Sequence, residues 1–416
     1  MATPHSQEGS MRRLAVVVPL LLLAVLIAAG ASYADGKRPY LEPPKKATGT
    51  DKSANQDEQT SLEKLIYDNV PADFQLELKW PFYSRKLGKI VSMWYQPTAK
   101  FYIDANTTAE IAGNIYVQTD KNTFCSLSLE GALQWATNLR FRLTAPPKAT
   151  AFGLYITNLS TILALDRRSG QTKWMKTYDL TLATPIHATP TMLYVGTWNK
   201  LLVGIDRLTG EVAWTYTLDG DIVAEPNDPF APKPADYVLA PCTDGYLYAV
   251  SSAGKLLWKY KSYGRLLAQP VITRIGEDPH VLFGSQDTNL YCVNAVSSQK
   301  LWEFRSGAPI ETSPVVVRNK VFVRNISGEF FCLDLKTGAK LWSMKDARYV
   351  IGVTSAGDIY LLLGKNTIAA VNPDNGNVHW KRKLSKFTYF MPNCWDSSVY
   401  AVTAEGLLLA FKEPVK

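Results

Sequence analysis

Cys332-Leu-Asp-Leu-Lys-Thr-Gly-Ala-Lys-Leu-Trp342 decides the fold. An apolar and aromatic run ends on Asp334. A Gly follows four residues later and a Trp four residues after that. The same phrase recurs as Asp166, Gly170 and Trp174, as Asp206, Gly210 and Trp214, and as Asn372, Gly376 and Trp380. A copy at Asn294 and Trp302 carries Ser298 in the Gly place, while Gly131 and Gly254 stand four before Trp135 and Trp258. With Trp94 added, eight tryptophans (Trp94, Trp135, Trp174, Trp214, Trp258, Trp302, Trp342 and Trp380) step along the chain 38 to 44 residues apart. A fixed period of this length is the mark of a repeat architecture.

Each copy reads as strands. Val321 to Val323 and Phe331 to Leu333 precede Trp342, and Leu193 to Gly196 and Leu202 to Asp206 precede Trp214. Short β-branched and aromatic runs bounded by Asp, Asn, Gly and Ser are strands joined by tight turns. The Asp or Asn side chain closes the turn, and the Gly accepts a positive φ. A further short run carries a proline in many copies, at Pro147, Pro190, Pro226, Pro270, Pro314 and Pro392. Four strands every 40 or so residues predict an all-β fold, an eight-bladed β-propeller of four-stranded antiparallel blades. The last copy, with Val399 to Val402 and Leu407 to Phe411, has no Trp-bearing outer strand. Lys89 to Trp94 looks like an outer strand without inner ones, so residues near 88 to 96 are expected to complete the last blade and remove free edges. Seven blades with one added strand is the alternative, since no Gly stands four before Trp94. The tryptophans are expected to fill the gaps between blades as structural residues, and a closed ring of this kind to be a monomer.

The N-terminus carries a second pattern. Arg12 and Arg13 precede the apolar run Leu14 to Ala29, and Ala31-Ser-Tyr-Ala34 follows. This predicts a signal peptide over 1–34, with a retained membrane anchor through residues 14–29 as the alternative. Localisation is then exported, in a periplasm or other extracytoplasmic space, with inner-membrane anchoring under the alternative. Residues 35–60, rich in Lys, Pro, Thr, Ser, Asp and Gln, are expected to be a disordered linker. Thr60 and Glu63 form a capping-box pattern, so 61–87 is read as a short helix and lead-in, and 88–416 as the propeller.

Chemistry is sparse. Of five cysteines, Cys125, Cys292 and Cys332 stand ten residues before their blade's Trp, where Ala164 and Gly204 stand in other copies. They are read as small buried apolar residues, with one bridge, Cys292 to Cys332, left open for an exported chain. Cys242 and Cys394 complete the set. Four histidines and no paired cysteines predict no metal site. No nucleophile elbow, zinc-protease helix or phosphate loop is present. The net charge of +8 is dispersed, which suits an acidic partner or anionic membrane face rather than nucleic acid. Asn106, Asn158 and Asn325 begin glycosylation sequons. Two tryptophans out of phase, Trp198 and Trp395, fall in turns and are candidate contact residues, while Trp80 is out of phase without an assigned role.

Ala164 to Trp174 and Cys332 to Trp342 resemble the pyrroloquinoline-quinone-like (PQQ-like) repeat. The resemblance covers residues 88–416 and implies the propeller. It admits two functions. One is a non-catalytic envelope scaffold like the BamB-type outer-membrane assembly factor. The alternative is a quinoprotein dehydrogenase that holds PQQ and calcium and oxidises an alcohol or sugar. Near-minimal blades and the lack of adjacent cysteines favour the scaffold, with no cofactor and a protein partner. The lack of a lipid-anchor Cys departs from the assembly factor. The resemblance further implies a partner site. A basic residue five before the first-strand Pro of one blade, and an acidic residue three before that Pro in the next, contact the barrel-assembly subunit in that factor. Here these places hold Arg265, before Pro270, and Glu311, before Pro314.

Overall fold

The computed structural model describes residues 53–71, 74–83, 86–102, 108–227 and 236–414. Eight antiparallel sheets form the blades of one β-propeller. Blade 3 shows the plan: His187–Ala188, Met192–Gly196, Leu201–Asp206 and Val212–Thr217 pair in that order. Its first strand is only two residues long, and in blade 4 the equivalent is an isolated bridge between Asn227 and Leu239. The prolines explain this: a residue without an N–H cannot extend a ladder, so these inner edges stay short. Second and third strands are buried nearly throughout, whereas fourth strands such as Val212–Thr217 alternate between exposed and half-buried residues.

The turn chemistry works as expected. Asp334 Oδ1 accepts from the Thr337 N–H at 2.9 Å and the Thr337 hydroxyl at 2.8 Å. Gly338 follows with a φ of 70°. A second requirement acts at the same place, because a Cβ on Gly338 would lie 2.6 Å from the Trp302 ring of the preceding blade. The indole then donates from Nε1 to the Leu335 carbonyl at 3.0 Å. The same bond runs from Trp135 to Arg167, Trp174 to Arg207, Trp214 to Ser252 and Trp342 to Pro373. Each of these five tryptophans thus seals its blade onto the turn of the next, which is why Asp, Gly and Trp recur together.

Closure differs from the sequence expectation in its register. The strand completing blade 8 is Glu77–Phe82, which pairs with Leu408–Lys412, Trp80 opposite Ala410. It is not 88–96. Ile90–Gln96 is the first strand of blade 1, with Trp94 opposite Tyr116. Trp80 therefore makes the same seal as these five: its Nε1 donates to the Leu129 carbonyl at 2.8 Å, and a Cβ on Gly131 would meet its ring. Trp94 is half-buried and packs beside Phe124 in blade 1. The sequence misleads here for a physical reason. A hairpin, Ala99–Tyr102 with Thr108–Ile111, is inserted between the first two strands of blade 1. It lengthens the step from Trp80 to Trp135 and brings Trp94 accidentally into phase. Trp80 also follows a helix rather than a tight turn, so no Asp stands eight before it and no Gly four before it.

That helix is Ser53–Asn69. It begins before Thr60, so Thr60 is not its cap, and it reaches into the stretch expected to be a linker. Ile66, Val70 and Phe74 are buried with Leu384, Phe387 and Phe411 between blades 7 and 8. Phe74 stands edge-on to Trp380 at 6.4 Å and to Phe411 at 5.0 Å. No helix among the described residues is long and apolar enough to cross a membrane. The apolar run 14–29 and the predicted signal peptide lie outside the described residues, as do most of the predicted linker and Asn106.

All five cysteines are free thiols. The Cys292 to Cys332 bridge is not formed. Cys292 and Cys332 occupy the same third-strand place of their own blades, directly opposite the blade's Trp, and are packed in separate apolar layers; Cys125 stands one place off, opposite Ala136.

Candidate functional site

In a four-stranded blade, second-to-third-strand turns and the links between blades lie on one face, and the other turns lie on the opposite face. This sorts the candidates. Trp198 sits in the second-to-third turn of blade 3, between Met192–Gly196 and Leu201–Asp206. Arg265 and Glu311 lie in the links entering blades 5 and 6. These three share a face. Trp395, between Phe387–Phe390 and Val399–Thr403 of blade 8, is on the opposite one.

Arg265 and Glu311 are brought together through Gln286, in the second-to-third turn of blade 5. The Gln286 N–H donates to the Arg265 carbonyl at 3.0 Å, and Gln286 Nε2 donates to Glu311 Oε1 at 2.7 Å. Both charged side chains are exposed. Beside them Tyr263 is 89% exposed, its N–H held by Asp287 Oδ2 at 2.8 Å. Ile326 of blade 6, Leu159 of blade 2 and Trp198 of blade 3 add apolar turn tips to the same face, all more than half exposed. Sequence reasoning passed over Tyr263, Leu159 and Ile326. An apolar residue in a turn slot otherwise held by polar residues was the available signal.

Trp395 lies tilted on Tyr95, with ring centroids 5.5 Å apart. The Tyr95 hydroxyl donates to Asp396 Oδ2 at 2.7 Å. Burial, together with that bond, raises the phenol well above its ordinary range. This cluster does not communicate with Arg265 or Glu311 through any contact.

On the axial side of the ring lies a partly buried ion pair. Lys148 Nζ meets Glu225 Oε1 at 2.7 Å, linking the innermost segments of blades 2 and 4 past that of blade 3. Among the described residues, no three of His, Cys, Asp and Glu converge closely enough to hold a metal ion. Burial pushes the thiols of Cys125, Cys242, Cys292 and Cys332 up to about 12, too weakly acidic for a nucleophile at neutral pH. Asn325 is buried, with Nδ2 donating to the Ser306 carbonyl at 3.0 Å, so its sequon is not displayed.

The chain is similar to several known proteins. The family model of the outer membrane protein assembly factor BamB matches residues 158–230 and 243–411, more than half of the chain. BamB of Yersinia pestis is 25% identical over 248 residues, covering 55% of this chain and 60% of that protein. BamB of Shewanella oneidensis is 22% identical over 277 residues, covering 59% and 68%. The match thus spans well under the full length of the first of these relatives. Among solved structures, BamB from Moraxella catarrhalis superposes with a TM-score of 0.59 at 16% identity, covering 77% of this chain and 98% of that one. The C-terminal WD40 domain of Sif2 does so with a TM-score of 0.61 at only 10% identity, so structural likeness at this level speaks for the propeller fold alone. With its repeat matched over blades 2 to 8, this chain belongs to the family of the outer membrane protein assembly factor BamB.

Proposed function

We propose that this chain is an exported, non-catalytic scaffold that docks a protein partner at the cell envelope. The observation that carries the reading is the juxtaposition of Arg265 and Glu311 on neighbouring blades of one face, tied by Gln286 and flanked by exposed Tyr263. Opposite charges held side by side set the register of a partner, and an exposed aromatic supplies an anchor. Nothing in the arrangement needs a bound cofactor.

Co-purification of the full chain from its native membrane in mild detergent tests the reading. Arg265→Glu combined with Glu311→Lys should cut partner recovery at least tenfold, since each reversed charge now opposes its counterpart. Unchanged recovery by the folded double variant would remove the assigned face. The same reading holds that the axial funnel takes no PQQ or calcium. Adding both to the purified protein should leave its melting temperature unchanged, because any ligand selective for the folded state must raise it.

A further inference from the structure

On the face opposite Arg265 and Glu311, the first turns of blades 6, 7 and 8 enclose an open cleft of about 410 Å³. Val316 and Arg318 line it from blade 6, Val353 and Thr354 from blade 7, and Trp395 and Asp396 from blade 8. Its size is within the range of small-molecule and peptide-end sites.

Four features of the cleft call for a ligand of one chemistry. Thr354 is only 7% exposed, yet its Oγ1 has no hydrogen-bond partner among the described residues. Buried hydroxyls are almost always satisfied, so this one, closed to solvent on a residue of the cleft wall, is an unused polar group beside the cleft. Arg318 is exposed and has no carboxylate partner among the described residues. Its guanidinium lies against Gly357, where any Cβ would collide with it, so the turn is shaped to carry it. Asp396 also lines the cleft, but its carboxylate oxygens are engaged elsewhere and form no ion pair with Arg318 among the described residues. Its carboxylate is occupied by the Tyr95 hydroxyl at 2.7 Å, Asn393 Nδ2 at 2.7 Å and the Ser398 N–H at 2.8 Å. Trp395, 58% exposed and backed by Tyr95, offers a rigid aromatic wall, and the two valines supply further apolar surface.

We infer that this cleft binds an organic carboxylate carried on an apolar or aromatic group. The carboxylate pairs with Arg318, the Thr354 hydroxyl donates to a neighbouring oxygen of the ligand once its side chain turns toward the cleft, and the apolar group lies on Trp395, Val316 and Val353. A planar guanidinium suits a carboxylate, and cation, hydroxyl and apolar wall together distinguish this ligand from a bare anion. Two sources present this chemistry: a free small acid and the C-terminal residue of a polypeptide. The inference does not rest on the docking face proposed above, which lies at the other end of the ring.

Titration calorimetry on the purified full chain tests it with three probes: N-acetyl-phenylalanine, a pentapeptide ending in Phe with a free carboxylate, and the same pentapeptide amidated. The free acids should bind and the amide should bind at least tenfold more weakly. Tenfold tighter binding of the pentapeptide acid than of N-acetyl-phenylalanine assigns the site to a chain terminus, and equal binding assigns it to a small acid. Arg318→Gln, at an exposed position, should weaken acid binding roughly tenfold or more while keeping the wild-type melting temperature. Thr354→Val and Trp395→Ala should each weaken it several-fold. No binding of either acid, equal binding of acid and amide, or wild-type affinity in Arg318→Gln would overturn the inference. Partner recovery through Arg265 and Glu311 should be unaffected by Arg318→Gln, which keeps the two tests separate.

Discussion

Replacing Trp80 with Ala tests how the ring is closed. Trp80 is 6% exposed, donates to the Leu129 carbonyl, stacks over Gly131 and stands 6.0 Å from Tyr400. Its loss removes a large buried ring between blades 8 and 1 and leaves that carbonyl without its donor. Trp→Ala changes in cores cost about 3–5 kcal/mol. Unfolding entropy of about 2.1 cal/mol/K per residue, over the roughly 340 residues of the ring, comes to about 0.7 kcal/mol/K. The melting temperature should therefore fall by about 4–7 °C. Trp94→Ala removes a half-buried ring from inside blade 1 and should cost less than half as much. Scanning calorimetry on both variants decides. If Trp80→Ala melts within 1 °C of wild type (about 0.7 kcal/mol, close to the roughly 0.5 kcal/mol of a surface change) while Trp94→Ala is the more damaged, the closing strand is the one the Trp phase suggests and the paired register is refuted.

The other expectations concern turns and thiols. Gly338→Ala places a Cβ 2.6 Å from the Trp302 ring at a φ of 70°. It should cost about 2 kcal/mol or more by strain and overpacking, whereas Gly276→Ala, with a φ of 66° and open space, should cost only about 1 kcal/mol. Equal losses by urea titration would show that the seal does not constrain the glycine. Cys125, Cys242, Cys292 and Cys332 are fully buried and should resist a thiol reagent at pH 8 in the native protein, while all five cysteines react in denaturant. Their acidity also sets a sign. Burial raises the folded values from 9.0 to about 12, so the unfolded chain ionises first. Stability is intact below pH 9 and should decline between pH 9 and 12; the fourfold variant with Ala at these places should lose less over that window, and an identical pH profile would refute the assignment.

The repeat phrase around Asp334, Gly338 and Trp342 was sufficient to determine strands, turns and blade plan, because each residue in it meets a local demand that recurs in most copies. Turn closure needs the carboxylate or amide, positive φ needs the Gly, and the gap to the next blade needs the indole. Burial of the in-phase cysteines was legible for the same reason. The closing strand was not. Its Trp80 makes the same seal without the turn that marks the others, and the hairpin at 99–111 disguises the spacing. The helix over 53–69 was placed late because its stability comes from the slot between blades 7 and 8, which exists only after the ring closes. The candidate faces divide likewise. Arg265, Glu311, Trp198 and Trp395 could each be picked out as charged or aromatic residues in turns. Which of them share a face depended on strand direction within the blades, and the link through Gln286 on the packing of blade 5 against blade 6. The cleft of Arg318, Thr354 and Trp395 joins residues from three blades, up to 77 positions apart in the sequence. Only the packing of three consecutive blades, which sets those turns side by side, brings a cation, an unsatisfied hydroxyl and an aromatic wall to one place.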